Sequence, residues 1–193
     1  MEDLNVWLTI PTGERRQYLA DIIKESQVPL EKIVIVHTVE SEPIEGVNNI
    51  WDLEPVNIHR WWNHGIDMAR ESNADYIAVL NDDVKLRNNP INKIAQSMKE
   101  LNAIIGYPLP YTGHISGYCW VLDIKSKIRA DDNLRWWYVD DDIRIRAALQ
   151  GEIAYVPAEV EHLHPNHLTS TNEDLLNLTV EDEEYFKKKW NIS

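Results

Sequence analysis

One cysteine, Cys119, is all that the chain contains. No disulfide can form within it, and a reducing, cytoplasmic setting is expected. No apolar run approaches the ~20 residues of a membrane span. The opening Met1-Glu2-Asp3-Leu4 is acidic and leads straight into a strand, so no signal peptide is expected. Internal repeats and low-complexity linkers are also missing, and 193 residues suit one domain, or one domain with a tail. There is no G-x-S-x-G elbow, which argues against an α/β hydrolase. Positive charge is scarce: 19 Lys and Arg stand against 32 Asp and Glu, a formal net charge of −13. Such a surface repels nucleic acid and anionic membranes. A diphosphate would be repelled as well unless a cation stood between, the first pointer to a metal.

What is present alternates strand and helix. Residues 4–10 (LNVWLTI) read as a buried strand that stops at Pro11, and Arg15 to Ser26 has helical spacing with Leu19, Ile22 and Ile23 on one face. Residues 32–38 (KIVIVHT) are a second strand, so rich in branched apolar residues that both faces must be covered, as in a parallel sheet. A weaker extended stretch falls near residues 55–58, a helix over 60–73 points Trp62, Ile66 and Ala69 inward, and Asp75 to Leu80 is a third strand. Further on, the pattern predicts a helix over 89–101, strands over 103–109 and 116–123, a helix over 141–150 capped by Gly151, and a strand over 153–156 stopped by Pro157. From Glu173 a last helix runs from acidic to basic (Lys187, Lys188, Lys189), which suits its dipole and reads as a solvated helix. The expected fold is α/β: a Rossmann-like, mostly parallel sheet flanked by helices, in a domain over 1–165 with a helical extension over 166–193. Sites in such sheets lie at the carboxyl ends of the strands. Three polar clusters sit there: Pro11-Thr12-Gly13, His37-Thr38 and Asn81-Asp82-Asp83.

Asp82 and Asp83 directly follow a buried strand, where two carboxylates are costly to pack unless they stay in water or bind something. An exposed loop would explain them; so would a divalent-metal site, since hard carboxylate oxygens suit Mg2+ or Mn2+ and leave positions for phosphate. In Val160-Glu161-His162-Leu163-His164-Pro165, two histidines two residues apart on an extended segment share a side. Either is a candidate metal contact beside Asp83, and an imidazole ligand favours Mn2+ over Mg2+. Trp136-Trp137-Tyr138-Val139-Asp140-Asp141-Asp142 sets three acids behind three aromatics. The acids suit a helix N-terminus. The aromatics provide faces on which sugar rings stack, and a carboxylate beside such a platform can take a proton from an attacking hydroxyl.

In order and spacing these segments resemble the GT-A glycosyltransferases of the large family-2 type, which includes rhamnosyl- and galactofuranosyltransferases. Thr9-Ile10-Pro11-Thr12 with Arg15-Arg16 is similar to the family's opening strand and nucleotide loop. Asn63-His64-Gly65-Ile66 with Ala69 and then Ala74-Asp75-Tyr76-Ile77 resembles its N-x-G-I-x-x-A segment, and Leu80-Asn81-Asp82-Asp83-Val84 its D-x-D metal motif. Ser116-Gly117-Tyr118-Cys119 resembles the acceptor-side segment, Asp140-Asp141-Asp142-Ile143 with Arg146 and Gly151 the base motif, and Tyr155-Val156-Pro157 with Val160 and His162 the closing strand and metal histidine. The resemblance covers roughly residues 4–165, divided into a nucleotide-sugar half (1–88) and an acceptor and catalytic half (89–165).

It implies transfer of a sugar from a nucleotide-diphosphate donor to a hydroxyl of a glycan or protein, with inversion and a Mn2+ (or Mg2+) cofactor. Asp83 and His162, or His164, would hold the metal. Asp140 or Asp141 would be the base. Pro11, Thr12, Arg16, Thr38, Asn63 and Asp82 would line the donor. This chain departs from the family in Asn81 for the first acid of the metal motif, His37-Thr38 where relatives carry a base-reading acid, and Val139 for the first acid of the base motif. Small stand-alone enzymes of this kind occur in bacteria and their phages. Two other readings keep the fold: a non-catalytic carbohydrate-binding or scaffold domain, and a sugar nucleotidyltransferase, which would carry a Gly-rich loop where Pro11-Thr12-Gly13-Glu14 has one glycine. The segment after His164 is open to three roles: a lid, an acceptor helix, or a contact between copies in a homo-oligomer.

Overall fold

Alternating apolar side chains on the inner strands send one set to each face of a sheet, and the two sets become two cores. The computed structural model describes residues 4–13, 15–109, 117–164 and 172–192. Strand β1 (Val6–Thr12) leads through a tight turn into helix α1 (Leu19–Ser26), then β2 (Ile33–His37), β3 (Asn48–Trp51), α2 (Ile58–Glu71), β4 (Tyr76–Leu80), β5 (Val84–Arg87), α3 (Pro90–Leu101), β6 (Ala103–Pro108), β7 (Cys119–Asp123), α4 (Val139–Gln150), β8 (Glu152–Val156), β9 (Glu159–His162) and α5 (Glu173–Trp190). Seven strands form one sheet in the order β3-β2-β1-β4-β7-β6-β8, parallel except for β7. The expected 88/89 division falls between β5 and α3, while the sheet runs on across it through the β4–β7 pair.

Leu8, Ile10, Ile33, Ile35, Ala78 and Leu80 face α1 and α3, packing on Leu19, Ile22, Ile91, Ile94 and Met98. Their neighbours in sequence, Trp7, Val34, Val36, Ile77 and Val79, face α2 and α4, packing on Trp62, Ile66, Ala69, Ile143 and Ala147. Helices on both faces are what the fully buried, branched runs of β2 and β4 require.

Four details differ from the sequence reading. Strand β1 does not stop at Pro11: it continues to Thr12, with Pro11 opposite Val36. The Thr12 carbonyl points to β2, where it accepts the Thr38 N–H at 2.8 Å. Pro11 therefore turns its missing N–H to the other side, where pairing with β4 has already ended at Thr9. The edge strand is Asn48–Trp51 rather than a stretch near 55–58; there Asn57 accepts the Arg60 N–H at 3.1 Å and starts α2. Helix α4 starts at Val139, which puts Asp140, Asp141 and Asp142 all in its first turn. Finally, β5 and β9 pair as a separate antiparallel ribbon, with Val84 opposite His162. Ser116, in the expected strand over 116–123, lies outside the described residues, as does Pro165.

Helix α2 approaches β1 closely at Gly65, where a methyl group would stand 2.2 Å from Thr9 Cβ. A Gly-to-Ala change in an exposed helix gains about 1 kcal/mol. At Gly65 the clash wins, because Thr9 is β-branched and buried with no room to turn. Gly65→Ala is expected to destabilise the fold by about 1–3 kcal/mol, read as a lower urea midpoint with an unchanged m-value.

Candidate active site

The three polar strand ends meet. Thr12 Oγ1 donates to Asp82 Oδ2 at 3.0 Å, and the Gly13 N–H donates to the same oxygen at 3.3 Å. The Thr38 hydroxyl and N–H both donate to the Thr12 carbonyl, at 3.1 and 2.8 Å. Burial raises the Asp82 carboxyl above its usual range, and the neighbouring Asp83 carboxylate adds to this; the Thr12 and Gly13 hydrogen bonds oppose it. Arg16 reaches from the turn after β1 to His37 Nδ1 at 3.3 Å and to the Glu42 carbonyl at 2.6 Å. His37 is fully buried, stacked on Trp51 with ring centres 4.8 Å apart, and 2.8 Å from Asn49 Oδ1 through Nε2. With Arg16 as a donor at Nδ1, the proton sits on Nε2. Burial, with Arg16 assisting, lowers the His37 pKa against the Asn49 bond, so the ring is held neutral.

Asp83 is 1% exposed. One carboxylate oxygen is paired by the Arg15 guanidinium; the other lies 3.2 Å from His162 Nε2. The β5–β9 ribbon makes this meeting, since Val84 and His162 are register partners and the Leu163 N–H donates to the Asp83 carbonyl at 2.9 Å. The Tyr118 ring stacks on His162, 4.9 Å between centres and 15° from parallel. His164 goes elsewhere: its Nε2 lies 3.1 Å from the Tyr18 hydroxyl. Of the two candidate histidines, the structure brings only His162 to Asp83.

Among the described residues no three His, Cys, Asp or Glu side chains gather as a metal-ligand set. The Asp83–His162 pair still fits a Mn2+ or Mg2+ ion of the kind that takes one or two protein ligands and fills its other positions with substrate phosphate and water. The buried carboxylate supplies the charge, and the imidazole nitrogen already faces it at ligand-to-ligand spacing.

On the other side of the site, Asp140 stands at the N-terminus of α4. Burial pushes its carboxyl up to about 7 and the Asp141 carboxylate adds to the rise, against the N–H groups of Asp141, Asp140 and Gly117. Burial outweighs the helix end, whose dipole alone would favour the charged form. Trp62 and the Asp140 carboxylate flank Gly117: a Cβ there would lie 2.9 Å from Trp62 Cη2 and 3.4 Å from Asp140 Oδ2. The next residue, Tyr118, is the one stacked on His162, and its carbonyl accepts the Asn81 N–H at 3.0 Å. Two consecutive residues thus join the Asp140 side to the Asp83–His162 side. Asp141 lies 4.0 Å from Arg144 on the same helix.

Two acids turn out to hold the architecture. Asp142 is fully buried among Arg146 (2.6 Å), Lys189 (2.5 Å) and Trp190 Nε1 (3.0 Å), which anchors α5. Asp182 of α5 accepts the N–H groups of Arg135, Trp136 and Trp137 at 3.1, 2.7 and 2.8 Å. Phe186 stacks on Tyr138, whose φ of 61° is left-handed. Helix α5, expected to be solvated, therefore braces the segment that delivers Asp140. Asn63, expected at the donor, is spent elsewhere: its side chain exchanges hydrogen bonds of 2.9 and 3.0 Å with the Ala130 backbone and is buried. Arg15, Tyr118 and Asp182 are the residues whose roles the sequence did not show. Arg15 stands next to Arg16, and spacing cannot choose between adjacent arginines.

No family model matches the chain, and no curated protein matches it in sequence. Solved structures do match. S. aureus TarS superposes with a TM-score of 0.61 and 9% identity over 81% of this chain and 36% of that one. TarS residues 1–349 give 0.64 and 9% over 91% and 65%. The same segment in complex with UDP gives 0.61 and 10% over 81% and 59%. These likenesses are of fold: a mostly parallel sheet flanked by helices, the GT-A-like arrangement expected from the sequence. In each case this chain spans less than two thirds of the structure it matches.

The raised Asp140 pKa has a consequence for stability. Folding favours the protonated form, so its contribution is complete below the ordinary value of 3.8 and is lost as pH rises through about 7. Asp140→Asn removes this loss. Its melting temperature is expected to match wild type near about pH 4 and to exceed it increasingly toward about pH 8. A constant difference across that range would place Asp140 in an ordinary solvated environment.

Proposed function

We propose that this chain is a glycosyltransferase that moves a sugar from a nucleoside-diphosphate donor to an acceptor hydroxyl, inverting the anomeric centre. The observation that carries it is the Gly117–Tyr118 step, which links a buried carboxylate–imidazole pair to a carboxyl tuned to about 7. Both lie at the carboxyl edge of a GT-A-like sheet, and a UDP-bound protein of similar fold supports the nucleotide.

In this reading the diphosphate lies over the ends of β1 and β4, near Pro11, Thr12, Thr38 and Asp82. Asp83 and His162 are the residues that would hold a Mn2+ or Mg2+ ion. Such an ion, when bound, offsets the charge of the diphosphate as it leaves. Arg16 and Trp51, backed by the buried His37, lie beyond β2, where the nucleoside would rest. Asp140 accepts the proton of the acceptor hydroxyl; a base with a pKa near 7 is ionised in a useful fraction at neutral pH and still takes the proton readily. The acceptor oxygen forms its bond to the anomeric carbon as the bond to the diphosphate oxygen breaks, and that electron pair leaves on the diphosphate. One displacement suffices, with an oxocarbenium-like transition state. Trp136 and Trp137 offer rings for a sugar beside the base. The acceptor is a hydroxyl of a glycan or of a protein. Among the described residues no helix is long and apolar enough to cross a membrane.

The test is sugar transfer, or hydrolysis of the donor, from a panel of nucleoside-diphosphate sugars with Mn2+. Wild type should turn over one of them. Asp140→Asn should lose about 10^2- to 10^4-fold in kcat with donor affinity kept, while Asp83→Ala should lose both turnover and donor affinity. Near-normal turnover by Asp140→Asn would move the base to another residue. No turnover of any donor by wild type would favour a carbohydrate-binding domain that keeps the fold without the chemistry.

A further inference from the structure

The Arg15–Asp83 contact has no part in the mechanism above, yet it occupies its centre. Asp83 is almost wholly removed from water, and a buried carboxylate has to be paired. Arg15 does this from the turn that follows β1, with its own side chain 19% exposed, so the guanidinium bridges the buried carboxylate and the open side of the site. Its oxygen is not the one that faces His162: Arg15 takes Oδ2 and the imidazole takes Oδ1. A divalent ion seated on Asp83 would meet Arg15 as a rival cation at the same carboxylate. Guanidinium is permanently charged, and its planar fork pairs as well with a phosphate as with a carboxylate. The donor's diphosphate would lie beside Thr12 and Gly13, which stand three and two residues before Arg15.

We propose that Arg15 is a resident counter-cation that yields Asp83 to the divalent ion when a diphosphate is present to receive the guanidinium, so that metal and diphosphate bind cooperatively. The proposal rests on the reading of Asp83 as a metal ligand. Without the diphosphate, Arg15 keeps the carboxylate neutralised and the ion is held weakly. With it, the exchange leaves no charge unpaired: the ion takes the carboxylate and Arg15 takes phosphate oxygens. Because binding is reciprocal, the ion must strengthen diphosphate binding by the same factor as the diphosphate strengthens the ion's.

The experiment is calorimetric titration of Mn2+ alone, in the absence of any nucleotide, into wild type, Arg15→Gln, Arg15→Lys and Asp83→Asn. Removing the rival charge should tighten Mn2+ binding by at least about fivefold in Arg15→Gln, the low end of ordinary coupling between sites. Arg15→Lys keeps a charge but loses the fork and should fall between Gln and wild type. It also reads the effect if the Gln variant does not fold without metal. Asp83→Asn should bind no Mn2+. Unchanged or weaker Mn2+ affinity in both Arg15 variants, with Asp83→Asn still inactive in binding, overturns the role of Arg15 and leaves the metal reading standing. Absence of Mn2+ binding in wild type and both Arg15 variants overturns both.

Discussion

A carboxylate at the end of a buried apolar strand cannot be left alone, and most of the site follows from how Asp83 is partnered. Strand β4 is fully buried because helices cover both faces of the sheet. The chain emerges from it at Asn81 and has to place Asp83 with little exposure to water. It does so by folding Val84–Arg87 into a ribbon with Glu159–His162, which brings an imidazole from nearly eighty residues away to the carboxylate. The turn after β1 brings the guanidinium. Asp82, one residue earlier, is secured by Thr12 and Gly13. The elements that solve this burial problem are the same ones that line the proposed diphosphate site.

The second constraint is the delivery of Asp140. Its helix begins after Tyr138 in a left-handed conformation, which costs about 1 kcal/mol or more for a residue with a side chain. Helix α5 offsets that cost. Asp182 gathers three N–H groups of the preceding segment, Phe186 stacks on Tyr138, and Lys189 and Trp190 hold Asp142. A stretch that looks like a solvated tail by charge thus fixes the geometry of the Asp140 side of the site. The rise of the Asp140 carboxyl to about 7 comes first from the burial that this packing imposes.

The sheet and its helices were legible because their signals are local. The branched runs of β2 and β4 and the inward stripe of Trp62, Ile66 and Ala69 need no distant partner to be read. The ribbon was not legible, although Val84-Lys85-Leu86-Arg87 alternates buried and exposed in the way of a strand. It follows three polar residues and pairs only with a strand on the far side of α3, β6, β7, α4 and β8 in sequence. Strand β3 escaped because Asn48 and Asn49 break the apolar pattern, their side chains being engaged with the backbone of neighbouring segments. In the site, residue types were readable and partners were not. Sequence brought out Asp83, Asp140 and both histidines, but only the fold separates His162, at Asp83, from His164, at Tyr18. It likewise gives Arg15 to the carboxylate and Arg16 to His37, and takes Asn63 out of the donor set.

The central claim is that Asp83 gathers a cation and a nucleoside diphosphate at the carboxyl edge of the sheet. The most direct measurement is the melting temperature with UDP, GDP, dTDP, CDP and ADP, each with and without Mn2+, for wild type and Asp83→Ala. A ligand that binds only the folded state raises the melting point by mass action. The account predicts that one diphosphate stabilises wild type only when Mn2+ is present and that Asp83→Ala loses the effect. A wild type that responds to none of them, or an Asp83→Ala variant that keeps the full response, would contradict it.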